Sequence, residues 1–311
     1  MKILVSLAAT SVFLAFGCSG TGTDQPTSPE VNDPIPGKGS ENNDTPSQAP
    51  VVDEGTSEAA TVAAAPEDHP DFIRKKKDPE HYRVNRGEGI QPFSICGTDD
   101  KQYVNSYTGN LGVSVAYVNT YKGAVGVSET SISEGPSVKF CTGTLIANDL
   151  FLTASHCVDS STKTEYVAFN YERKANSTEV LPQQHFKITG IVEDGLGGLD
   201  YAILRLAGNP GATFGVTKTN KVDPTSNAIL AIIQHPGLKP KQIEAGHFAG
   251  LSGDYISYGD IDTEGGSSGS GVLNAAGELV GVHTLGGCTA TGGRNFGVRM
   301  SKIAAASAII N

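Results

Sequence analysis

The chain has 311 residues, with 23 Lys+Arg against 33 Asp+Glu, 38 Gly, 2 Met and no Trp. Single domains usually run ~100–200 residues, so two at most are expected. A formal charge of −10 and a pI near 5.2 argue against a basic nucleic-acid-binding face. The charge is uneven: residues 19–66 hold 8 acids and one base, whereas residues 93–311 hold 19 acids and 15 bases. Most of the negative charge thus precedes a near-neutral, glycine-rich segment of 219 residues, ample for a packed core.

Lys2 is followed by an apolar run from Ile3 to Phe16, too short for a permanent membrane span, which needs ~20 residues. A positive start, a short apolar stretch and small residues describe a secretory signal over residues 1–18. Leu14-Ala15-Phe16-Gly17-Cys18 resembles a bacterial lipobox, with Ala15 where an aliphatic residue is usual. Two readings stand: a lipid anchor on Cys18, or an ordinary cleaved signal. Either way the protein is expected to be exported, to the bacterial cell envelope or beyond. There are five cysteines, and an odd thiol is awkward in an oxidising compartment; setting Cys18 aside leaves Cys96, Cys141, Cys157 and Cys288, enough for two disulfides.

Residues 19–66 contain seven of the 16 Pro and almost no large apolar side chains, so they are expected to be a disordered acidic tether. Residues 67–92 are of mixed charge and too short to hold a core of their own, which reads as a pro-segment. From residue 93 the texture changes to short apolar-alternating runs separated by Gly, Asn, Asp and Ser. These are Leu111–Val118, Val138–Leu145, Phe151–Ala154, Glu165–Phe169, Phe186–Val192, Tyr201–Leu206, Ala228–Gln234, Gln242–Leu251, Gly271–Leu273, Leu279–Thr284 and Phe296–Arg299. The pattern predicts an all-β body over residues 93–311. A single helix is predicted at Ser301–Ile310, with Ser301 as its cap. No internal repeat of 20–50 residues is visible.

Three segments carry chemistry. Phe151-Leu152-Thr153-Ala154-Ser155-His156-Cys157 ends on a histidine, Leu199-Asp200-Tyr201-Ala202-Ile203-Leu204 supplies an aspartate, and Asp262-Thr263-Glu264-Gly265-Gly266-Ser267-Ser268-Gly269-Ser270 places a serine among glycines. A serine hydroxyl is a poor nucleophile until a base takes its proton, and the base needs an acid to hold its tautomer. In the order His, Asp, Ser, the three runs resemble the "TAxHC", "DxAxL" and "GxSGS" motifs of chymotrypsin-like serine proteases. The resemblance spans residues 140–270 and, with the flanking β pattern, about 93–311. It implies two six-stranded antiparallel Greek-key barrels with a C-terminal helix. It also implies His156, Asp200 and Ser268 as catalytic residues, with the Gly266 and Ser268 N–H groups forming the oxyanion hole. A disulfide between Cys141 and Cys157 beneath the histidine is implied too. The protein would act on protein or peptide substrates as a monomer, without a cofactor.

Within that family, the runs Asp262–Ser270, Val282-His283-Thr284 with Gly286-Gly287, and Gly297–Lys302 resemble the bacterial glutamyl endopeptidases, as does Ser94-Ile95-Cys96-Gly97-Thr98-Asp99-Asp100 their mature N-terminus. Gly271 stands where that branch has Pro, and Ser267 replaces the Asp that forms an activating ion pair in digestive relatives. The resemblance implies an S1 pocket for Glu or Asp lined by His283, Thr263, Thr284 and Gly286. Because the resembled enzymes hold their mature N-terminus near this pocket, Cys96 is expected to pair with Cys288. Asp262 opens an alternative, since it falls where trypsin-like enzymes keep a pocket-floor carboxylate for Lys or Arg. A surface binding protein on an inactive protease fold is the alternative from another class. Maturation is expected between Arg86 and Ser94, after Glu88 for a glutamyl pocket or after Arg86 for a basic one. His185, His235 and His247 lack metal-ligand spacing, and neither HExxH nor CxxC occurs, so no metal is expected.

Overall fold

Short apolar runs pack as strands around a core, and closure removes the exposed edges that isolated sheets would leave. The computed structural model describes residues 93–133, 135–158 and 164–310. The expected signal and lipobox (1–18), tether (19–66), pro-segment (67–92), lipidation at Cys18 and cleavage after Glu88 lie outside the described residues. The first barrel comprises β1 (Val125–Glu129), β2 (Lys139–Leu145), β3 (Leu150–Thr153), β4 (Tyr166–Phe169), β5 (Gln184–Asp194) and β6 (Ala202–Leu206), closed in the order β1-β2-β3-β6-β5-β4.

The second comprises β7 (Ile229–Gln234), β8 (Gln242–Ser252), β9 (Tyr255–Tyr258), β10 (Gly271–Asn274), β11 (Leu279–Leu285) and β12 (Asn295–Arg299). Its antiparallel pairings run β7-β8-β9-β12-β11-β10, and β10 returns to β7. This is the same winding as the first barrel, a repeat carried by topology rather than by residues. Two short N-terminal strands dock on the second barrel's side: Phe93–Ser94 pairs with Thr263–Glu264, and Gln102–Tyr103 extends the sheet beside β8.

The near-continuous apolar run of β7 has a specific cause. Leu230 and Ile232 join a cluster drawn from the second barrel with Ile256, Tyr258, Val272 and Val280. Ala231 and Ile233, on the opposite face, join a cluster that also holds Leu152 and Ile203 of the first barrel. Both faces of β7 are therefore buried. In the first barrel, Leu145, Phe151, Val167, Phe169 and Leu204 form a separate cluster. Each fully buried aliphatic or Phe side chain contributes ~1.5–3 kcal/mol, so the shared cluster ties the barrels into one cooperative body.

Three expectations are corrected. Leu111–Val118 is not a strand; it runs into α1 (Val115–Tyr121), because Ser114 Oγ accepts the Tyr117 N–H at 3.0 Å and the helix buries Val118. After α2 (Pro210–Phe214), the terminal helix α3 spans Met300–Ala306 and is not capped by Ser301. That hydroxyl donates to Asp223 Oδ1 at 2.8 Å, while Ser307 Oγ accepts the Ile309 and Ile310 N–H groups and ends the helix early. The sequence pattern also omits strands β1 and β9, both only a few residues long.

Candidate active site

His156 lies in a single 3-10 turn, Ser155–Cys157, directly after β3. The disulfide Cys141–Cys157 fastens this turn to β2. Asp200 sits just ahead of β6, 2% exposed, and engages His156 twice. Its Oδ1 accepts the His156 backbone N–H at 3.0 Å and its Oδ2 lies 2.7 Å from Nδ1. The carboxylate thus holds the proton on Nδ1 and leaves Nε2 as the basic nitrogen of a ring that is about a third exposed (32%).

Ser268 is presented by a loop of the second barrel whose shape demands glycine. Gly266 and Gly269 have φ of +99° and +84°. A Cβ on Gly266 would stand 2.6 Å from His235 O, and one on Gly269 would stand 2.1 Å from Thr153 Oγ1. Neither position accepts a larger residue. The loop's N–H groups divide into two sets. Ser267 N–H donates to Glu264 O at 2.9 Å, Gly269 N–H to His283 O at 2.8 Å and Ser270 N–H to Ser267 O at 3.1 Å. The Gly266 and Ser268 N–H groups have no acceptor among the described residues. Two such donors beside a nucleophile are what a developing oxyanion requires.

Thr142 joins the loop to the first barrel. Its N–H donates to Ser268 O at 2.9 Å. Its Oγ1 donates to Gly266 O at 2.8 Å and accepts the His235 N–H at 3.0 Å. Gly269 meanwhile lies against Ala154, two residues before His156. Thr142 was not singled out from the sequence, although it directly follows Cys141; its strand also carries Lys139 and Thr144, so its hydroxyl gave no distinctive signal.

Two of the candidate pocket residues, Thr263 and Gly286, lie against the N-terminal segment. Ser94 pairs with Thr263. Ser94 Oγ accepts the Cys288 N–H at 3.0 Å and also bonds Asn295 Oδ1. A Cβ on Gly286 would stand 2.7 Å from Ser94, and Cys96 is disulfide-bonded to Cys288. Thr284 Oγ1 is buried without a hydrogen-bond partner. His283 is 3% exposed, with Nδ1 2.6 Å from the Tyr258 hydroxyl. Burial, and then the nearby His156, lower its pKa to about 3, so it is neutral at physiological pH. Asp262, also buried, accepts the Cys96 N–H at 2.6 Å through Oδ1 and the Asp100 N–H at 3.3 Å through Oδ2. Both of its oxygens serve the N-terminal segment. Ser267 Oγ accepts the Glu264 N–H at 3.0 Å and is wholly buried within the loop.

Two groups have metal-like proximity. Cys141, His156 and Cys157 cannot offer thiolates, because the sulfurs are joined. Asp100, Glu244 and Asp262 form a carboxylate cluster behind the pocket wall.

Twin closed barrels of one strand order, with a His–Asp pair on one and a glycine-framed serine on the other, form a trypsin-like double barrel. Residues 141–282 match the family model described as trypsin-like peptidase domain. No curated protein matches the chain. Among solved structures, a Glu endopeptidase in complex with MPD is 24% identical, covering 70% of this chain and 95% of its own, with a TM-score of 0.47. A serine endoprotease from Yersinia pestis is 17% identical, covering 61% of this chain and 63% of its own, with a TM-score of 0.44.

Proposed function

We propose that this protein is an exported serine endopeptidase that cleaves after Glu, and less readily Asp, with Ser268 as nucleophile. The observation that carries the catalytic reading is the doubly held His156–Asp200 pair beside a loop whose Gly266 and Ser268 N–H groups lack acceptors. In the proposed reaction, Ser268 Oγ attacks the scissile carbonyl carbon while His156 Nε2 takes its proton. The oxyanion is met by the two free N–H groups. His156 then gives the proton to the departing amine as the C–N bond breaks, and water, deprotonated by His156, releases the acyl group. Asp200 stabilises the imidazolium throughout.

The acidic preference draws support from how the two candidate specificity groups are used. Asp262 turns both oxygens to backbone N–H groups of the N-terminal segment, which leaves a Lys or Arg side chain without its usual counter-charge. His283, neutral in the free enzyme, would gain a proton more readily beside a bound carboxylate. Processing between Arg86 and Ser94, most simply after Glu88, would leave the Phe93–Ser94 strand on the pocket wall. Anchoring through Cys18 belongs to the same proposal.

Fluorogenic peptides differing only in P1 test it. Glu should exceed Asp, Lys and Arg in kcat/KM, and Ser268→Ala should lower kcat by ~10⁴-fold or more. Preference for Lys or Arg would overturn the specificity reading. Absence of turnover on every peptide, with no labelling of Ser268 by a serine-directed phosphonate, would favour the inactive binding protein.

A further inference from the structure

Three acids far apart in sequence converge behind the pocket wall. Asp100 belongs to the N-terminal segment, Glu244 to β8, and Asp262 to the stretch leading into the nucleophile loop. One oxygen from each lies within 4.8 Å of the others. Glu244 is 1% exposed; its Oε1 accepts the Ala245 N–H at 3.0 Å, and apart from the Asp100 carboxyl its side chain meets no further polar partner among the described residues. Gln234, wholly buried, has an unpartnered Oε1, while its Nε2 donates to Asp262 O at 2.7 Å. The register pairs Gln234 with Gln242 and Ile232 with Glu244, so Gln234 and Glu244 share one face of the β7–β8 ladder. Among the described residues, no Lys or Arg forms an ion pair with Asp100, Glu244 or Asp262; Lys101 directs its ammonium to Asp99 and Glu264.

Buried carboxylates without a cation are costly. Either a proton or a metal ion can offset this, and the donor set discriminates. It is all oxygen, mixes carboxylate with amide carbonyl and has no imidazole or thiolate, which suits a hard cation. Calcium takes six to eight oxygens at ~2.3–2.6 Å in adaptable geometry, which an irregular set drawn from separate chain segments can meet. Magnesium, at ~2.0–2.1 Å, demands near-ideal octahedral geometry.

We propose that Asp100, Glu244 and Asp262, joined by Gln234 Oε1, bind a calcium ion that fastens the N-terminal segment to the second barrel beside the nucleophile loop. The ion would act alongside the Cys96–Cys288 bond and would be structural, since it touches none of the residues assigned to the reaction.

The full-length chain carrying Ser268→Ala, to prevent self-digestion, can be dialysed against EDTA and titrated with CaCl2 by calorimetry. One saturable site is expected, with a rise of about 5 °C or more in unfolding midpoint at saturating calcium. MgCl2 should give a smaller shift. Glu244→Gln, which is near-isosteric and removes the buried charge, should fold and lose at least tenfold in calcium affinity, as should Asp100→Asn at the exposed side of the cluster. Absence of binding heat and of any shift would overturn the proposal and leave a proton shared between Glu244 and Asp100. Calcium binding unchanged by both substitutions would overturn it by placing the ion elsewhere.

Discussion

The first barrel and the second are wound in the same order, yet they hold their histidines in opposite ways. In the first, His156 stands at a strand end, a third exposed, with a buried carboxylate gripping both its backbone and its ring. In the second, His235 and His283 are buried within the body, and burial lowers the pKa of each. His235 bonds only the Lys239 carbonyl through Nδ1, and His283 faces the Tyr258 hydroxyl. The first barrel thus offers an imidazole held in one orientation and open to solvent; the second offers buried histidines whose positions are fixed by their neighbours. Strand order decides where loops emerge, but local burial decides what a histidine can do there. Thr142 of the first barrel joins the two regions by gripping the loop of the second.

The disulfides should separate the barrels most strongly. Cys141–Cys157 closes 16 residues within the first barrel, whereas Cys96–Cys288 closes 192 residues around both. In the chain-entropy model, replacing the first pair with Ala costs ~3 kcal/mol and the second ~5 kcal/mol. Urea unfolding of the two double variants measures both losses, and the reverse order would show that the N-terminal segment adds little to the second barrel.

Acid should find the second barrel first. His283 has a folded pKa of about 3 against ~6.5 when unfolded, so below pH 6.5 the unfolded chain binds a proton that the folded chain refuses. Its contribution is complete above pH 6.5 and is lost progressively as pH falls toward 3. Between pH 7 and 5 it should cost about 2 kcal/mol. His235 adds loss of the same sign. His283→Gln should flatten the pH dependence of unfolding free energy by that amount; an unchanged slope would mean that His283 is protonated in the folded protein.

The smallest expected effect tests the joint itself. Thr142→Val leaves the Gly266 carbonyl and the His235 N–H without their hydroxyl partner. A loss of roughly 1–2 kcal/mol is expected, felt as a 5–30-fold fall in kcat with little change in KM. A change confined to KM would place Thr142 in substrate binding instead.

The runs bearing His156, Asp200 and Ser268 could be read directly because each is contiguous, and the glycines flanking Ser268 announced a tight turn before their φ angles were known. Most barrel strands were legible as short apolar runs bounded by turn residues, because strands buried on both faces, such as β7, carry apolar side chains at nearly every position. The stretch Leu111–Val118 misled because an apolar run too short to display its period reads equally as strand or helix, and the Ser114 cap decided between them.

What the sequence by itself determined is therefore local: the β texture, the residue types that acyl transfer needs, and cysteines enough for two bonds after the first. What only the tertiary structure decided is relational. Nothing in the sequence around Asp262 announces that its oxygens accept the backbone N–H groups of Cys96 and Asp100, more than 160 residues away. Thr142 looks like any strand threonine until the second barrel's loop lies across it. The twofold winding is invisible in the residues because barrel closure constrains the alternation of buried and exposed positions, which many side chains satisfy, and not their identity.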